Sequence, residues 1–327
     1  MMTHHNKYYD KTKKHHTIKG FCNSEPTSIG YRDLLRWKRE RKIIPPQGGY
    51  QQFKANWYQK ANFAVEGDAI WWLGHATALI KIKHKTILTD PVFSERVSPV
   101  SFTGPKRRTP CACSIDELPH IDIIVISHNH YDHLDHASIR QLIKRFPSVT
   151  ILVPLGLKAK LLHWGAQQVF ELDWWQDITI DEVVLSAVPA KHWSRRTISD
   201  TNRTLWCGWI IEYNQRCIYF VGDTGYSSEF SEIKVNFPHI DIALIPIGSY
   251  APRWFMANQH IDPQQALQLF HDVGCKRAIA IHWGAFELAD DPLDEPPRLL
   301  RQLVEHDQIT NMDFLVIKIG NYVQIVP

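Results

Sequence analysis

Four residues of metal-binding type stand within six consecutive positions, namely His128, His130, Asp132 and His133. They directly follow residues 121–127, a short run of apolar and β-branched residues that predicts a buried strand. The end of such a strand holds its loop rigidly, as a metal site requires. Imidazole and carboxylate donors together suit zinc. The two leading histidines are predicted to grip one ion, and Asp132 and His133 to point toward a second.

Four ligands on one loop cannot complete two metal sites, so other ligands must come from elsewhere in the chain. His192, Asp223 and His282 each follow an apolar segment that is predicted to be a strand. Taken singly, each is open to an ordinary structural role, such as a capping aspartate or a histidine that bonds the backbone. Together with the loop they supply the ligands that two ions need. The sequence therefore predicts a two-metal site built from strand ends.

Apolar patterns predict short strands from residue 69 onward, followed by strands that alternate with helices. The predicted strands are residues 69–74, 78–83, 86–89, 121–127, 149–153, 168–172, 178–188, 204–213, 216–221, 240–247, 277–282, 313–319 and 322–326. The predicted helices are residues 136–146, 157–164, 226–236, 263–273 and 296–306. This order indicates an α/β fold.

Residues 119–123 and 238–242 have the same sequence, Pro-His-Ile-Asp-Ile, and each opens an apolar strand. A match of this length can also arise by chance. As a true repeat, it indicates two similar α/β halves whose sheets pack face to face. The site would then lie along their shared edge, where strand ends meet.

The composition is ordinary for a soluble globular protein, with 44% hydrophobic and 22% charged residues. The formal net charge of +3 is too small to imply a nucleic-acid partner, and none is expected. The first twenty residues lack an apolar signal-peptide core, and no segment approaches the roughly 18 apolar residues that span a bilayer. We therefore expect a cytoplasmic location without a transmembrane segment, with peripheral membrane contact as an alternative.

The N-terminal part of the chain is predicted to add little to the fold. Residues 1–20 are predicted to be a disordered tail with four solvated histidines. Residues 21–327 are predicted to form a single domain, with 21–68 as its N-terminal extension. The Lys-Arg-Arg run at 106–108 is predicted either to meet anionic lipid headgroups or to be an ordinary solvated face.

The HxHxDH run, with a later histidine, an aspartate and a last histidine, resembles the metallo-β-lactamase superfamily. Within it, the chain is similar to the N-acylphosphatidylethanolamine-hydrolysing phospholipase D family of membrane-associated zinc enzymes. The segments that carry this resemblance are WLGHAT (72–77), LTDPVFSERVSP (88–99), GPKR (104–107), ISHNHYDHLD (126–135), VPLGL (153–157), ELDWW (171–175), GDTGY (222–226), IPIG (245–248), PRWFM (252–256), HIDPQQA (260–266) and AIHWG (280–284).

The resemblance implies an α/β fold, the αβ/βα four-layer sandwich, in which two β-sheets pack face to face with helices outside. It also implies two zinc ions as cofactors, with iron or manganese as alternatives. The implied ligands are His128, His130 and His192 for the first zinc, Asp132, His133 and His282 for the second, and Asp223 as the bridge between them. A homodimer is expected only through this resemblance.

The resemblance further implies a phosphodiesterase that hydrolyses N-acylphosphatidylethanolamine to phosphatidic acid and N-acylethanolamine by a metal-bridged hydroxide. Asp132, Asp223 and His260 are the implied catalytic residues. Tyr131 and His260 are implied to contact the phospholipid substrate, although packing or a surface position would explain each as well. One alternative is hydrolysis of another ester by the same metals, either a lactone or a small or nucleotide phosphodiester. A non-catalytic metal-binding protein is the other.

Overall fold

The computed structural model describes residues 5–25, 30–307 and 313–325. Its strands are β1 (His16–Thr17), β2 (Gly20–Phe21), β3 (Ala69–Gly74), β4 (Thr77–Ile82), β5 (Lys85–Thr89), β6 (Ile123–Val125), β7 (Thr150–Pro154), β8 (Gln168–Leu172), β9 (Asp177–Ile180), β10 (Val183–Val188), β11 (Gly208–Tyr213), β12 (Arg216–Phe220), β13 (Ile242–Pro246), β14 (Arg277–Ile281), β15 (Phe314–Leu315) and β16 (Tyr322–Gln324). Its helices are α1 (Tyr31–Glu40), α2 (Gly49–Trp57), α3 (His136–Arg145), α4 (Lys158–His163), α5 (Glu229–Asn236), α6 (Arg253–Met256), α7 (Pro263–Val273) and α8 (Glu295–His306).

Apart from the β1–β2 hairpin, the strands of the described residues form two seven-stranded sheets. The first sheet has the order β16-β3-β4-β5-β6-β7-β8, and the second has the order β9-β10-β11-β12-β13-β14-β15. In each sheet, three successive antiparallel pairs are followed by three parallel pairs. The two sheets are therefore built alike, as the sequence repeat predicted.

The aspartates of the two Pro-His-Ile-Asp-Ile segments make equivalent contacts. The backbone N–H of Asp122 donates to Thr86 O at 3.0 Å, and its carboxylate accepts from Thr86 N at 2.8 Å. The N–H of Asp241 donates to Cys217 O at 2.8 Å, and its carboxylate accepts from Cys217 N at 2.9 Å. Each aspartate thus fixes the register between its own strand and the start of the preceding strand in the sheet.

The sheets pack against each other, with helices on their outer faces. Strands β3, β7 and β13 are buried along their whole length, as expected for strands covered on both sides. The indole N–H of Trp209 in the second sheet donates to Ile126 O at the end of β6, at 2.9 Å. Gly222 follows β12 with φ 67°, and a Cβ there would lie 2.8 Å from Ser127 Cβ. The close approach of the two sheets at this point therefore requires glycine.

The described part of the N-terminal segment is ordered against the sheets, so the prediction of a disordered tail is wrong for residues 5–20. Of the four histidines there, His4 lies outside the described residues and His5 is exposed, whereas His15 and His16 are buried. Their Nε2 atoms lie 2.7 and 3.0 Å from the carboxylate of Asp173. Asp173, an acidic partner far along the chain, therefore orders a segment whose own composition predicted no fixed structure.

Two further predictions about local structure need correction. Residues 178–188 form the hairpin β9–β10 and not one strand, because Asp181 and Glu182 adopt φ values of 45° and 70° in a tight turn. The extension 21–68 contains two helices, α1 and α2, that the sequence patterns did not predict. Within the described residues, no helix is both long and apolar enough to cross a bilayer.

The basic run at 106–108 does not form a free cationic patch. Arg107 turns inward, where its Nη2 donates to Val92 O at 2.6 Å and its guanidinium lies 4.5 Å from the centre of the Phe286 ring. Arg108 forms an ion pair with Glu287 at 2.6 Å. Lys106 also pairs with Glu95, at 3.6 Å, so all three cationic side chains contact groups of the protein itself.

Candidate metal centre

The loop after β6 is held in place by hydrogen bonds to its backbone. Leu134 N donates to His130 O at 2.8 Å, which closes a tight turn. The guanidinium of Arg196 donates to Leu134 O at 2.6 Å and to Asn129 O at 2.8 Å. The loop is therefore fixed from both the strand and the segment that follows β10.

The first group consists of three histidines whose ring nitrogens converge, His128, His130 and His192. His130 Nδ1 lies 2.8 Å from His128 Nε2 and 3.2 Å from His192 Nε2. The other ring nitrogen of His128 faces Ser127 Oγ at 2.9 Å, and that of His192 faces Gln259 O at 2.9 Å. These outer contacts fix the orientation of two of the three rings.

The second group consists of His75, Asp132, His133 and His282. Asp132 Oδ2 lies 2.9 Å from His75 Nε2, 3.3 Å from His133 Nε2 and 3.6 Å from His282 Nε2. The other ring nitrogen of His133 faces the buried carboxylate of Asp90 at 2.6 Å. The group thus joins the loop after β6 to the ends of β3 and β14.

Asp223 lies between the two groups. Its Oδ2 is 3.0 Å from His133 Nε2 and its Oδ1 is 3.0 Å from His282 Nε2. Its Oδ2 is also 3.8 Å from His192 Nε2 and 4.0 Å from His128 Nε2. The structure therefore brings together all seven side chains that were predicted as ligands, with Asp223 at their centre.

Tyr131 and His260, the two nominated substrate contacts, both border this centre. His260 Nδ1 lies 3.9 Å from Asp223 Oδ2, and its ring lies between those of His192 and His282. The Tyr131 hydroxyl donates to Arg196 O at 3.0 Å. His260 is thus beside the metal-binding atoms, whereas the hydroxyl of Tyr131 is bound to the protein.

Burial keeps the histidines of the first group neutral. It lowers the pKa of His130 to about 3 and that of His192 to about 4, and it lowers the pKa of His128 well below its usual value. At neutral pH each ring therefore carries an unshared electron pair that a metal ion can accept.

Charges within the second group have the opposite effect on its histidines. Although burial disfavours the charged ring, Asp223 and Asp132 raise the pKa of His282 to about 9, and both carboxylates also raise the pKa of His133. Burial alone would raise the pKa of the carboxyls, but His133 and His282 hold those of Asp132 and Asp223 well below their usual range. In the metal-free protein, protons therefore balance the carboxylates.

These features fit a metal ion in each group. The carbonyl of Gln259 can only accept, so the proton of neutral His192 is on Nδ1, and its Nε2 presents an electron pair toward His130. The Nδ1 of His133 faces Asp90, so it is the proton on Nε2, directed at Asp223, that a metal ion would replace. A metal ion placed among these nitrogens would accept their electron pairs. A histidine and carboxylate donor set suits zinc, iron or manganese.

A sequence profile described as a beta-lactamase superfamily domain matches residues 85–283. The chain belongs to this superfamily. An N-acyl-phosphatidylethanolamine-hydrolyzing phospholipase D of Caenorhabditis elegans is 36% identical over 261 residues, which cover 76% of this chain and 73% of that protein. The chain thus lies in the branch of the metallo-β-lactamase superfamily that includes this phospholipase D.

Two other proteins show how far the similarity extends. An uncharacterised protein of Mycobacterium tuberculosis is 40% identical over 249 residues, which cover 74% of this chain and 65% of that protein. The chain thus spans less than two thirds of the length of this relative. A diiron β-hydroxylase of Streptomyces venezuelae has 20% identity and a TM-score of 0.59, covering 80% of this chain and 55% of that one. At this identity only the fold is shared.

Two buried residues at the metallo-β-lactamase centre were missed by sequence reasoning, His75 and Asp90. Each follows a strand of the first sheet, as His192 and His282 follow strands of the second. Both also lie within segments that carry the family resemblance, WLGHAT and LTDP. Applying the strand-end criterion to β3 and β5 would have found them.

A cleft of about 590 Å³ opens directly onto the metal-binding groups. His130, Asp132, His192, Asp223 and His260 line its inner part. Its apolar lining residues are Leu34, Trp37, Val97, Trp193, Phe255, Met256 and Leu288. The cleft can thus hold a polar reacting group beside the ligands and a hydrocarbon segment farther out.

Proposed function

We propose that this protein is a zinc-dependent phosphodiesterase that hydrolyses N-acylphosphatidylethanolamine to phosphatidic acid and N-acylethanolamine. In this reaction a water oxygen bonds to phosphorus, and the phosphorus–oxygen bond to the N-acylethanolamine breaks. The leaving oxygen takes up a proton. The named substrate of the similar C. elegans enzyme and the form of the cleft support this proposal.

The proposal rests on one observation, that metal-binding side chains and apolar side chains line the same cleft. Histidine and aspartate side chains line it at the metal-binding groups, and apolar side chains of α1, α6 and the segment after β14 line another part. The remaining polar lining comes from Arg195, Thr201, Asn202, Asn258 and Gln259. Burying a hydrocarbon chain against such walls is favourable by about 0.8 kcal/mol for each methylene group. A diacyl phospholipid uses both parts, whereas a nucleotide would leave the apolar walls unused.

We assign the zinc ligands as the sequence indicated. His128, His130 and His192 would hold one ion, Asp132, His133 and His282 the other, and Asp223 would bridge them. Two such ions lower the pKa of water toward neutrality and polarise a phosphoryl oxygen. Asp132 and Asp223 orient the centre through their carboxylates, and the surrounding strands hold these side chains still.

His260 is proposed to bind the reacting phosphate. Burial lowers the pKa of His260 well below its usual value, so the ring is neutral at pH 7. Its Nδ1 is buried and makes no hydrogen bond within the described residues. A neutral imidazole carries one N–H, which can donate to a phosphoryl oxygen. Tyr131 is proposed to border the substrate through its ring, because its hydroxyl already donates to the backbone.

We also propose that the mouth of the cleft meets a membrane surface. Leu35 on α1 and Trp254 on α6 are exposed large apolar side chains, and the two helices pack together beside the cleft. The guanidinium of Arg36 lies 4.3 Å from the centre of the Trp254 ring. An apolar surface flanked by basic residues suits anionic lipid headgroups. Flotation with anionic liposomes tests this, and loss of binding in Trp254→Glu is expected.

Substrate comparison tests the proposed activity. The zinc-loaded protein is assayed with N-acylphosphatidylethanolamine, a nucleotide phosphodiester and an acyl lactone, with His130→Ala as the inactive control. We expect kcat/KM to be greatest for the phospholipid, because only it combines a phosphodiester at the metal-binding groups with hydrocarbon chains in the apolar part of the cleft. A greater kcat/KM for the lactone or the nucleotide diester would reassign the substrate while leaving the hydrolase class intact.

A further inference from the structure

Residues 5–25 are anchored to the fold by a buried carboxylate. Asp173 Oδ1 lies 2.7 Å from His15 Nε2, and its Oδ2 lies 2.5 Å from Lys13 Nζ and 3.0 Å from His16 Nε2. The His15 ring also stacks on Trp174, with 4.3 Å between ring centres. A charged and stacked anchor of this kind fixes a short segment that has little apolar core of its own.

The anchor has the residue types of a metal site, but its charges argue against a metal. His15, His16 and Asp173 offer three ligand atoms close together. The ammonium of Lys13, however, already lies against the same carboxylate and supplies the cation that balances it. A metal ion would have to displace this contact. We therefore regard the cluster as an attachment point.

The segment next contacts the loop that follows His192. Phe21 N donates to Asn202 O at 2.8 Å, and a Cβ on Gly20 would lie only 2.0 Å from that oxygen. Asn202 in turn accepts from Ser194 N at 3.1 Å through its side chain. The glycine thus permits a close approach of the hairpin to this loop.

The contact then reaches a metal-binding residue directly. Asn23 Nδ2 donates to His192 O at 2.8 Å, and His192 N donates to Asn23 Oδ1 at 3.1 Å. One side-chain amide therefore pairs with both backbone groups of His192, as a neighbouring strand would. The ring of the same histidine is oriented separately by Gln259 O.

We propose that Asn23 is a positioning residue for the metal centre, acting through the backbone of His192, and that residues 5–25 hold Asn23 in place. The segment lies outside residues 85–283, which the superfamily profile matches. Gln259 fixes the direction of the ring and Asn23 fixes the main chain that carries it. Both are needed, because a ligand atom must be placed to within a fraction of an ångström.

The proposal rests on the metal centre of the proposed function, but its test needs no substrate. The full-length protein is stripped of metal and titrated with cobalt(II), whose visible absorption reports ligand geometry. A His282→Ala background weakens the second group, so binding to the first group is read separately. Asn23→Ala is compared with Asn23→Asp, which keeps the acceptor for His192 N, and with Asn236→Ala, an exposed asparagine on α5. Circular dichroism and Tm report folding.

We expect Asn23→Ala to weaken cobalt binding by about 10- to 100-fold and to change the absorption spectrum. Asn23→Asp should lose less affinity, and Asn236→Ala should match the parent. Gly20→Ala, which leaves Asn23 intact but displaces the hairpin, should weaken binding in the same direction and keeps the test valid if Asn23→Ala folds poorly. Unchanged affinity and spectrum in folded Asn23→Ala would overturn the proposal. Absence of phospholipid hydrolysis by the parent protein would count against the proposed function alone, because the cobalt titration uses no substrate.

Discussion

His75 Nε2 lies 2.9 Å from Asp132 Oδ2, so a histidine at the end of the first long strand is in direct contact with the loop after β6. Its backbone has φ 55°, which is strained for a side chain of this kind. Its carbonyl accepts from Trp72 Nε1 at 2.8 Å and from His282 N at 2.9 Å, and these bonds hold it there. Backbone strain that the surrounding structure maintains in this way is typical of functional sites.

Replacing His75 should weaken the second group. We expect His75→Ala to reduce metal affinity there by about 10- to 100-fold, because Asp132 loses a partner that orients its carboxylate. Metal titration of the stripped protein measures this. His84→Ala, an exposed histidine in the turn after β4, is the control. Equal affinities in the two variants would show that His75 is only a packing residue.

Replacing Asp223 should affect both groups at once. Its two carboxylate oxygens face His133 and His282, and its Oδ2 also faces the first group. Asp223→Ala should therefore lower the content of both metals and reduce kcat by more than about 100-fold. His192→Ala, by contrast, should mainly lower the content of one. Elemental analysis after dialysis separates the two patterns, and full metal content in Asp223→Ala would refute the bridging role.

Metal uptake should depend on pH differently in the two groups. His282, with its pKa raised to about 9, is protonated at pH 7 in the metal-free protein, whereas His130 and His192 are neutral above about pH 4. A metal must displace the proton of His282, so affinity of the second group should increase as pH rises toward about 9. The first group should show little change between pH 6 and 9. Calorimetry in buffers of different ionisation enthalpy measures the released protons in His192→Ala and in His282→Ala. Equal proton release from both variants would contradict the assignment.

The apolar wall of the cleft should determine whether lipid substrates are used. Leu288→Arg places a charge on this wall, and we expect kcat/KM for the phospholipid to fall by about tenfold or more. Hydrolysis of a short water-soluble phosphodiester should change much less, because it does not reach the wall. Val235→Arg, at an exposed position on α5, is the matched control. An equal loss for both substrates in Leu288→Arg would argue against a hydrocarbon site.

The central part of the site could be predicted from the sequence because its ligands follow strongly apolar strands. The run after β6 was recognisable because it contains four potential ligands within six residues. His192, Asp223 and His282 were found because a strand end is rigid and lies at a sheet edge, and the structure brings all of them to that edge. The repeated Pro-His-Ile-Asp-Ile segment likewise predicted two similar sheets.

The parts that could not be predicted depend on contacts between distant residues. Nothing near His15 and His16 in the sequence indicates their partner, Asp173, and without it the segment resembles a solvated tail. The turn between β9 and β10 uses Asp181 and Glu182 in left-handed conformations without the glycine that usually marks such a turn. Local patterns carry no information on either feature.

Isotope labelling of the products tests the proposed reaction most directly. The zinc-loaded protein is incubated with N-acylphosphatidylethanolamine in ¹⁸O-labelled water, with His130→Ala as the control, and the products are analysed by mass spectrometry. We predict ¹⁸O in the phosphate of phosphatidic acid, unlabelled N-acylethanolamine, and no turnover by the control. Label in the N-acylethanolamine, or no hydrolysis by protein that holds both metals, would contradict phospholipase D-type attack on phosphorus.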